Sequence, residues 1–212
     1  MTLILLGAPG AGKGTQAELL TQKLSIPAIS TGNMLWEAIR NGTALGMKVK
    51  QYMDEGSLVP DELILSIVAE RVTEPDCKNG FILDGVPRTL AQAEALDAKG
   101  VRIDHVVSIE VDDSVIEGRM TGRRVCGNCG ASYHIVANPS KTEGICDLCG
   151  GNLVIRKDDA PEMVRHRLEV YHASTEILKR YYEQQGKLRL INGEQDIESI
   201  SEQILTVIGA KA

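Results

Sequence analysis

Apolar positions along this chain come in short bursts separated by longer stretches of helical period. Runs at 3–6, 80–83, 105–109 and 188–192 are apolar without strict alternation, and a fifth at 27–30 is weaker. Apolar runs of this length between turn signals predict strands buried on both faces, as in parallel sheets. Between them, 16–20, 60–72, 90–98, 113–120, 161–184 and 197–208 carry the periodicity of helices. Pro60-Asp61-Glu62 and Pro161-Glu162 place proline and acids in a first helical turn. Strand and helix alternate, which predicts an α/β fold with a parallel five-stranded sheet flanked by helices.

Two stretches leave that pattern. Residues 31–59 are helical and polar, punctuated by Gly32, Gly42, Gly46 and Gly56, while 122–159 are short-stranded. Both read as insertions that leave a core and return to it. The expected division is a core of 1–30, 60–121 and 160–212 with inserts at 31–59 and 122–159. No repeats or low-complexity tracts appear, and the Ala-Lys-Ala end reads as a frayed tail.

The second insert carries Cys126-x2-Cys129 and Cys146-x2-Cys149, each pair followed by a glycine. That spacing is the pattern of two knuckles closing one tetrahedral four-thiolate site, with two disulfides or a redox switch as the alternatives. Fewer than about forty residues hardly bury a core of their own, so a structural Zn2+ is expected to supply the missing stability. Four thiolates leave no open position for a catalytic water. Cys77 stands alone and reads as incidental.

Composition narrows the picture further. A net charge of −6 over 212 residues argues against a general nucleic-acid binder, which needs a basic surface. No segment is long and apolar enough for a membrane span, and the apolar start lacks the basic flank of a signal peptide. The expectation is a cytoplasmic protein with neither nucleic-acid nor membrane partners.

The chemistry begins where the first apolar run ends. Gly7-Ala8-Pro9-Gly10-Ala11-Gly12-Lys13-Gly14-Thr15 fits a P-loop between strand and helix, with Thr15 one residue later than the usual hydroxyl. Glycines let backbone N–H groups converge on phosphate, the helix N-terminus adds positive potential, and Lys13 adds a full charge. The run Phe81-Ile82-Leu83-Asp84 ends in a carboxylate placed to hold Mg2+, and Gly85-Val86-Pro87-Arg88 follows at once.

Arg119, Arg123 and Arg124 precede the cysteine insert, and Arg156, Arg165 and Arg167 follow it. A solvated basic face is the ordinary explanation of such a run. Clustering on both borders of one insert instead favours a phosphate clamp by Arg123, Arg156 and Arg167, with Arg124 and Arg165 on the surface. No obvious general base is present. A hydroxyl acceptor would need one, whereas a phosphate acceptor is already ionised and needs only alignment and charge neutralisation.

The glycine-rich segment at 7–15, together with Ser30-Thr31-Gly32, Leu83-Asp84-Gly85-x-Pro87-Arg88-Thr89, Gly122-Arg123-Arg124 and Arg156-Lys157-Asp158-Asp159, resembles adenylate kinase in its long-lid bacterial form with a four-cysteine zinc lid. The resemblance spans essentially the whole chain. It implies the P-loop nucleoside monophosphate kinase fold, an AMP-binding domain over 31–59, a lid over 122–159, the substrates ATP, AMP and ADP, Mg2+ with ATP, and a monomer. By position it assigns ATP to Gly10, Ala11, Gly12, Lys13, Gly14, Thr15, Arg119, Arg123, Ser132, Tyr133 and Gln195. It assigns AMP to Thr31, position 36, Ser57, Leu58, Val59, Gly85, Val86, Pro87, Arg88 and Gln92, whose amide can pair with the adenine edge. Lys13, Asp84, Arg88, Arg123, Arg156 and Arg167 carry catalysis, the last two bridging toward the transferred phosphoryl. Asp158 and Asp159 would assist lid closure, although as bare sequence they equally fit a helix cap and first-turn acid.

Three positions depart from the family pattern: Asn33 for aspartate, Val86 for phenylalanine, and Trp36 for the arginine expected to grip the AMP phosphate. Loss of one charge-assisted contact costs roughly 1.5–3 kcal/mol, about ten- to a hundredfold in affinity. Either Trp36 packs at the mouth of the insert while Arg88 carries the phosphate, or acceptor binding is weakened or respecified. A kinase for another nucleoside monophosphate and a nucleotide-binding zinc protein with little turnover are the competing readings.

Overall fold

The computed structural model describes residues 1–210. The last two residues of the Ala-Lys-Ala end lie outside them. Five parallel strands form the central sheet: β1 (Thr2–Leu6), β2 (Ala28–Ser30), β3 (Phe81–Asp84), β4 (His105–Glu110) and, last in the chain, β8 (Leu188–Asn192), in the order β2-β3-β1-β4-β8. Every residue of β1 and β3 is buried, which is why their sequences read as continuous apolar runs.

Alternation reappears in what the side chains touch. Leu3 and Leu5 enter one hydrophobic cluster, and Ile4 and Leu6 enter another on the opposite face. The first cluster holds Ala17 and Leu20 of α1 (Lys13–Leu24), Ile116 and Met120 of α6 (Asp113–Gly122), and Ile204 of α9 (Ile197–Val207). The second holds Ile64 and Val68 of α4 (Asp61–Arg71) and Ala93 and Leu96 of α5 (Leu90–Ala98). Strand β1 sits centrally, with β3 and β4 on either side. The chain reverses its order across the sheet there, and such a switch point opens a crevice at the strand ends.

Residues 31–59 form two helices, α2 (Thr31–Arg40) and α3 (Ala44–Asp54). The Thr43 hydroxyl caps α3 by accepting from the Gly46 N–H at 3.0 Å. At Gly46 the helices cross so closely that a Cβ would stand 2.1 Å from the Ala38 carbonyl oxygen. Leu35 and Val49 join the second hydrophobic cluster, so this insert shares the apolar core of the body.

Residues 122–159 contain a small antiparallel sheet in the order β6-β5-β7, from β5 (Arg123–Cys126), β6 (Ser132–His134) and β7 (Leu153–Val154). Its buried apolar cluster consists of Cys126, Tyr133 and Cys146, with Ala131 and Leu153 against it.

The periodic stretch 161–184 is interrupted. A π-turn at Tyr171–Thr175 separates α7 (Pro161–Val170) from α8 (Ile177–Gln184). The wider turn rotates the buried stripe by about one residue, roughly 100°. Val164 and Leu168 therefore join the first cluster, while Leu178 and Tyr182 join the second. Spacing alone hides this, because the buried positions keep their three- and four-residue intervals.

Candidate active site

A cleft of about 570 Å3 opens at the strand ends and is walled by the glycine-rich loop, both inserts and α7. At its floor the chain leaves β1 and turns into α1 through Gly10 (φ 84°) and Gly12 (φ 98°). Both φ values lie in the left-handed region that favours glycine, and at Gly10 a Cβ would also stand 2.7 Å from the Met120 sulfur. The N–H groups of Lys13, Gly14 and Thr15 open α1 without intrahelical acceptors, a site suited to phosphate.

Lys13 curls back over this loop, its Nζ donating to the carbonyls of Gly7 at 2.7 Å and Ala8 at 2.8 Å. Burial brings its pKa down to about 8; Asp84 opposes the change, and Arg88, Arg167 and Arg123 add to it. Asp84 ends β3, buried, and its Oδ2 accepts from the Ser30 hydroxyl at 3.0 Å. The carboxylate and the Ser30 hydroxyl beside it are both hard oxygen donors, the type Mg2+ prefers.

The opposite end is built around Arg88. Its Nε donates to the Gly85 carbonyl at 2.8 Å, its backbone N–H donates to Gln92 Oε1 at 2.7 Å, and its carbonyl accepts from the Thr175 hydroxyl at 2.8 Å. The π-turn thus has a local purpose, placing Thr175 under Arg88. Asp61 completes the frame by accepting from the Gln92 Nε2 at 2.7 Å and the Thr89 hydroxyl at 2.8 Å. Gln92 is only 1% exposed, and its amide oxygen and nitrogen are both engaged within the protein. Its amide thus orients Arg88, and one N–H and one oxygen lone pair are left over on a residue that lines the cleft.

Between the two ends lies an arginine–aspartate cluster. Asp159 accepts from Arg123 through both carboxylate oxygens, the Nε contact being 2.7 Å. Asp158 takes the Arg156 fork at 2.8 and 2.6 Å. Arg167 reaches both acids, at 2.9 Å from Asp158 and 3.4 Å from Asp159. Burial pushes the Asp158 carboxyl up, but Arg156, Arg167 and Arg123 outweigh it and hold the group below its usual range. Burial lowers Arg167 to about 10 and also lowers Arg88. The two acids lie in a short 3-10 turn (Lys157–Asp159), and Ala160 occupies the N-cap of α7. They serve the arginines, not a helix end.

In the small sheet the four paired cysteines are free thiols whose sulfur atoms all lie within 4.8 Å of one another. The nearest pairs, Cys126–Cys149 and Cys129–Cys146, stand 3.4 and 3.6 Å apart. A tetrahedral Zn–S distance of 2.3 Å implies sulfur separations of about 3.8 Å, so the donor set fits zinc, and the sulfurs stand too far apart for disulfides. The Tyr133 hydroxyl accepts from the Asp147 N–H at 2.8 Å and lies 3.5 Å from the Cys146 sulfur. Chiefly through that phenol, Cys146 is brought down to about 6.

Every nucleotide-site residue singled out in the sequence lines the cleft except Val86 and Trp36. Val86 is buried beneath it. Trp36 faces Arg156, whose guanidinium carbon lies 5.0 Å from the centroid of the indole ring. Arg124 turns back to the carbonyls of Thr121 and Arg123, and Arg165 pairs with Glu117 at the surface. Cys77 is buried beside Arg71, away from the cleft. Asp61, Thr175 and His134, which also lines the cleft, were not legible as site residues. Asp61 reads as a first-turn acid, and the other two carry no motif.

Residues 5–187 match the family model for adenylate kinase. Proteins named adenylate kinase are similar to this chain over nearly their entire lengths. That of Caldicellulosiruptor bescii is 54% identical over 213 residues, covering 99% of each chain. That of Clostridium tetani is 55% identical over 214 residues, again 99% of each, and that of Agathobacter rectalis is 51% identical over 213 residues, 99% of this chain and 100% of its own. With a P-loop and an arginine cluster lining one cleft at the ends of a parallel sheet, the chain belongs to the adenylate kinase family.

Proposed function

We propose that the cleft holds two nucleotides with their phosphates facing and runs the reversible transfer ATP + AMP ⇌ 2 ADP. The observation that carries the residue assignments is that one continuous cleft joins the P-loop to Arg88 while Arg123, Arg156 and Arg167 converge between them. ATP phosphates lie on the loop of Gly10 to Thr15 under Lys13, with Arg119, Ser132, Tyr133 and Gln195 about the nucleoside. AMP lies against Thr31, Ser57, Leu58, Val59, Gly85, Pro87 and Gln92, with its phosphate toward Arg88.

A crowd of buried cations whose charges depress one another is prepared for a polyanion. Bound phosphates supply the missing negative charge, and preorganised donors stabilise the transferring phosphoryl without rearrangement. The acceptor phosphate is its own ionised nucleophile, so no proton-abstracting carboxylate is needed. Asp84 would hold Mg2+, with the hydroxyls of Thr15 and Ser30 beside it, and the ion would neutralise charge on the ATP phosphates. Asp158 and Asp159 keep the arginines aligned across the lid border.

The residues 31–59 act as the AMP-binding domain and 122–159 as a lid whose four thiolates take a structural Zn2+, while the remainder is the core. Closure of the lid excludes water and suppresses hydrolysis. Free thiols poised for a metal suit a reducing, cytoplasmic compartment, and the protein acts as a monomer.

The test is ADP formation from Mg·ATP with AMP, GMP, CMP or UMP, beside a Lys13→Met variant. AMP is the expected acceptor, with turnover falling at least about a hundredfold in Lys13→Met at an unchanged melting temperature. Full activity in the variant would remove Lys13 from the mechanism, and preference for another monophosphate would reassign the acceptor end.

A further inference from the structure

Trp36 stands off the cleft wall, yet it touches a side chain that forms it. Arg156 lines the cleft, and its guanidinium lies over the indole at 5.0 Å from the centroid. The edge of the same guanidinium is held by Asp158 at 2.8 and 2.6 Å. One partner thus takes the fork, and the other offers the face of its ring to the cation. They come from different parts of the chain: Asp158 from the return of the lid, Trp36 from α2 of the other insert. The indole N–H is shut away from solvent without an acceptor, so the exchange with Arg156 runs through the π-face of the ring.

We propose that Trp36 is a positioning residue for the acceptor nucleotide, acting through Arg156 and tying the AMP insert to the lid return. A guanidinium lying over an aromatic face keeps its in-plane N–H groups directed outward, toward carboxylate or phosphate oxygens. Arg156 also sits among like charges, Arg167 and Arg88, that push it away. Asp158 is shared with Arg167, so the contact with the indole is a second restraint on where the guanidinium sits. The proposal rests on the adenylate kinase reading of the cleft.

The experiment is calorimetric titration of AMP into protein saturated with a non-hydrolysable ATP analogue, for the wild type, Trp36→Leu, Trp36→Phe, Arg156→Gln and the Trp36→Leu/Arg156→Gln double variant. Trp36→Leu is expected to weaken AMP about three- to tenfold. Trp36→Phe keeps a π-face and stays within about twofold of wild type. In the Arg156→Gln background, Trp36→Leu costs nothing more, because the group it acts through is gone. Steady-state kinetics should show the same loss in KM for AMP with KM for ATP unchanged.

An equal loss in both backgrounds, an unaffected Trp36→Leu, or a Trp36→Phe as weak as Trp36→Leu would each overturn the proposal. Trp36→Met, also without a ring, replaces Trp36→Leu if the latter fails to fold by circular dichroism. Failure of the wild type to bind AMP would instead strike the functional reading, and it shows in the first titration before any variant is made.

Discussion

The two inserts face each other across one cleft and are held in place by different physics. The helical insert extends the apolar core of the body: Leu35 and Val49 pack in the same cluster as β1 and β3. The lid has its own cluster, two cysteines and a tyrosine at its centre, far below what a segment of this size needs. Several of its large apolar side chains face solvent, Val136 and Leu148 each at 79% exposure. The second insert is left with the arginine–aspartate pairs at its border and the metal proposed for its four thiols to hold it. An element held by a few strong, local links can move as a unit. One whose side chains belong to the common core transmits its strain to the whole fold.

The strongest way to break this comparison is to deny the proposed Zn2+ its site. Structural Zn2+ in small thiolate sites is worth on the order of 10 kcal/mol in apparent binding energy at neutral pH. Chelation, or Cys146→Ser, is expected to abolish amide protection across 122–159 and lower the melting temperature, while amides of α2 and α3 stay protected. Hydrogen exchange checks this, and equal loss in both inserts would erase the distinction.

Asp159→Asn comes next. Its carboxylate is fully buried between Arg123 and Arg167, and breaking a buried pair by removing one charge costs roughly 3–5 kcal/mol. Lower stability by denaturant titration and weaker nucleotide binding are expected together.

Val49→Ala tests the other side. It removes buried methyls from the shared core at a cost of roughly 1–3 kcal/mol. The whole molecule should unfold earlier in one cooperative transition, without loss of metal.

The smallest effect belongs to Tyr133→Phe. Losing the hydroxyl between the Asp147 N–H and the Cys146 sulfur should reduce metal affinity about tenfold, read by competition with a chromophoric chelator. Core stability should change little.

What was legible along the chain follows from how far each feature reaches. The P-loop, the paired cysteines and the Asp84–Arg88 turn depend on neighbours a few residues apart, so spacing alone reveals their chemistry. Strands β1, β3 and β4 announced themselves by apolar runs with ends off by a residue at most, whereas β8, read the same way, is a sheet edge with Ile191 alone buried. The framing role of Gln92 toward Arg88 and Asp61 was not legible because those partners are 4 and 31 residues away, and nothing local signals them. Asp158 and Asp159 were ambiguous for the same reason: two acids before a helix fit a cap until the arginines they serve are brought beside them.

The sequence by itself determined the fold class, the phosphate-binding loop, the thiolate site and the family, because each rests on periodicity or short spacing set by covalent neighbours. Only the tertiary structure decided how those parts act on one another. It slipped the 161–184 helix through a π-turn to bring Thr175 under Arg88, joined three arginines from both lid borders on two aspartates, and set Trp36 of one insert against Arg156 of the other. Contacts between distant segments depend on how whole elements pack, and packing is chosen by burial across the fold rather than by any local pattern of residues.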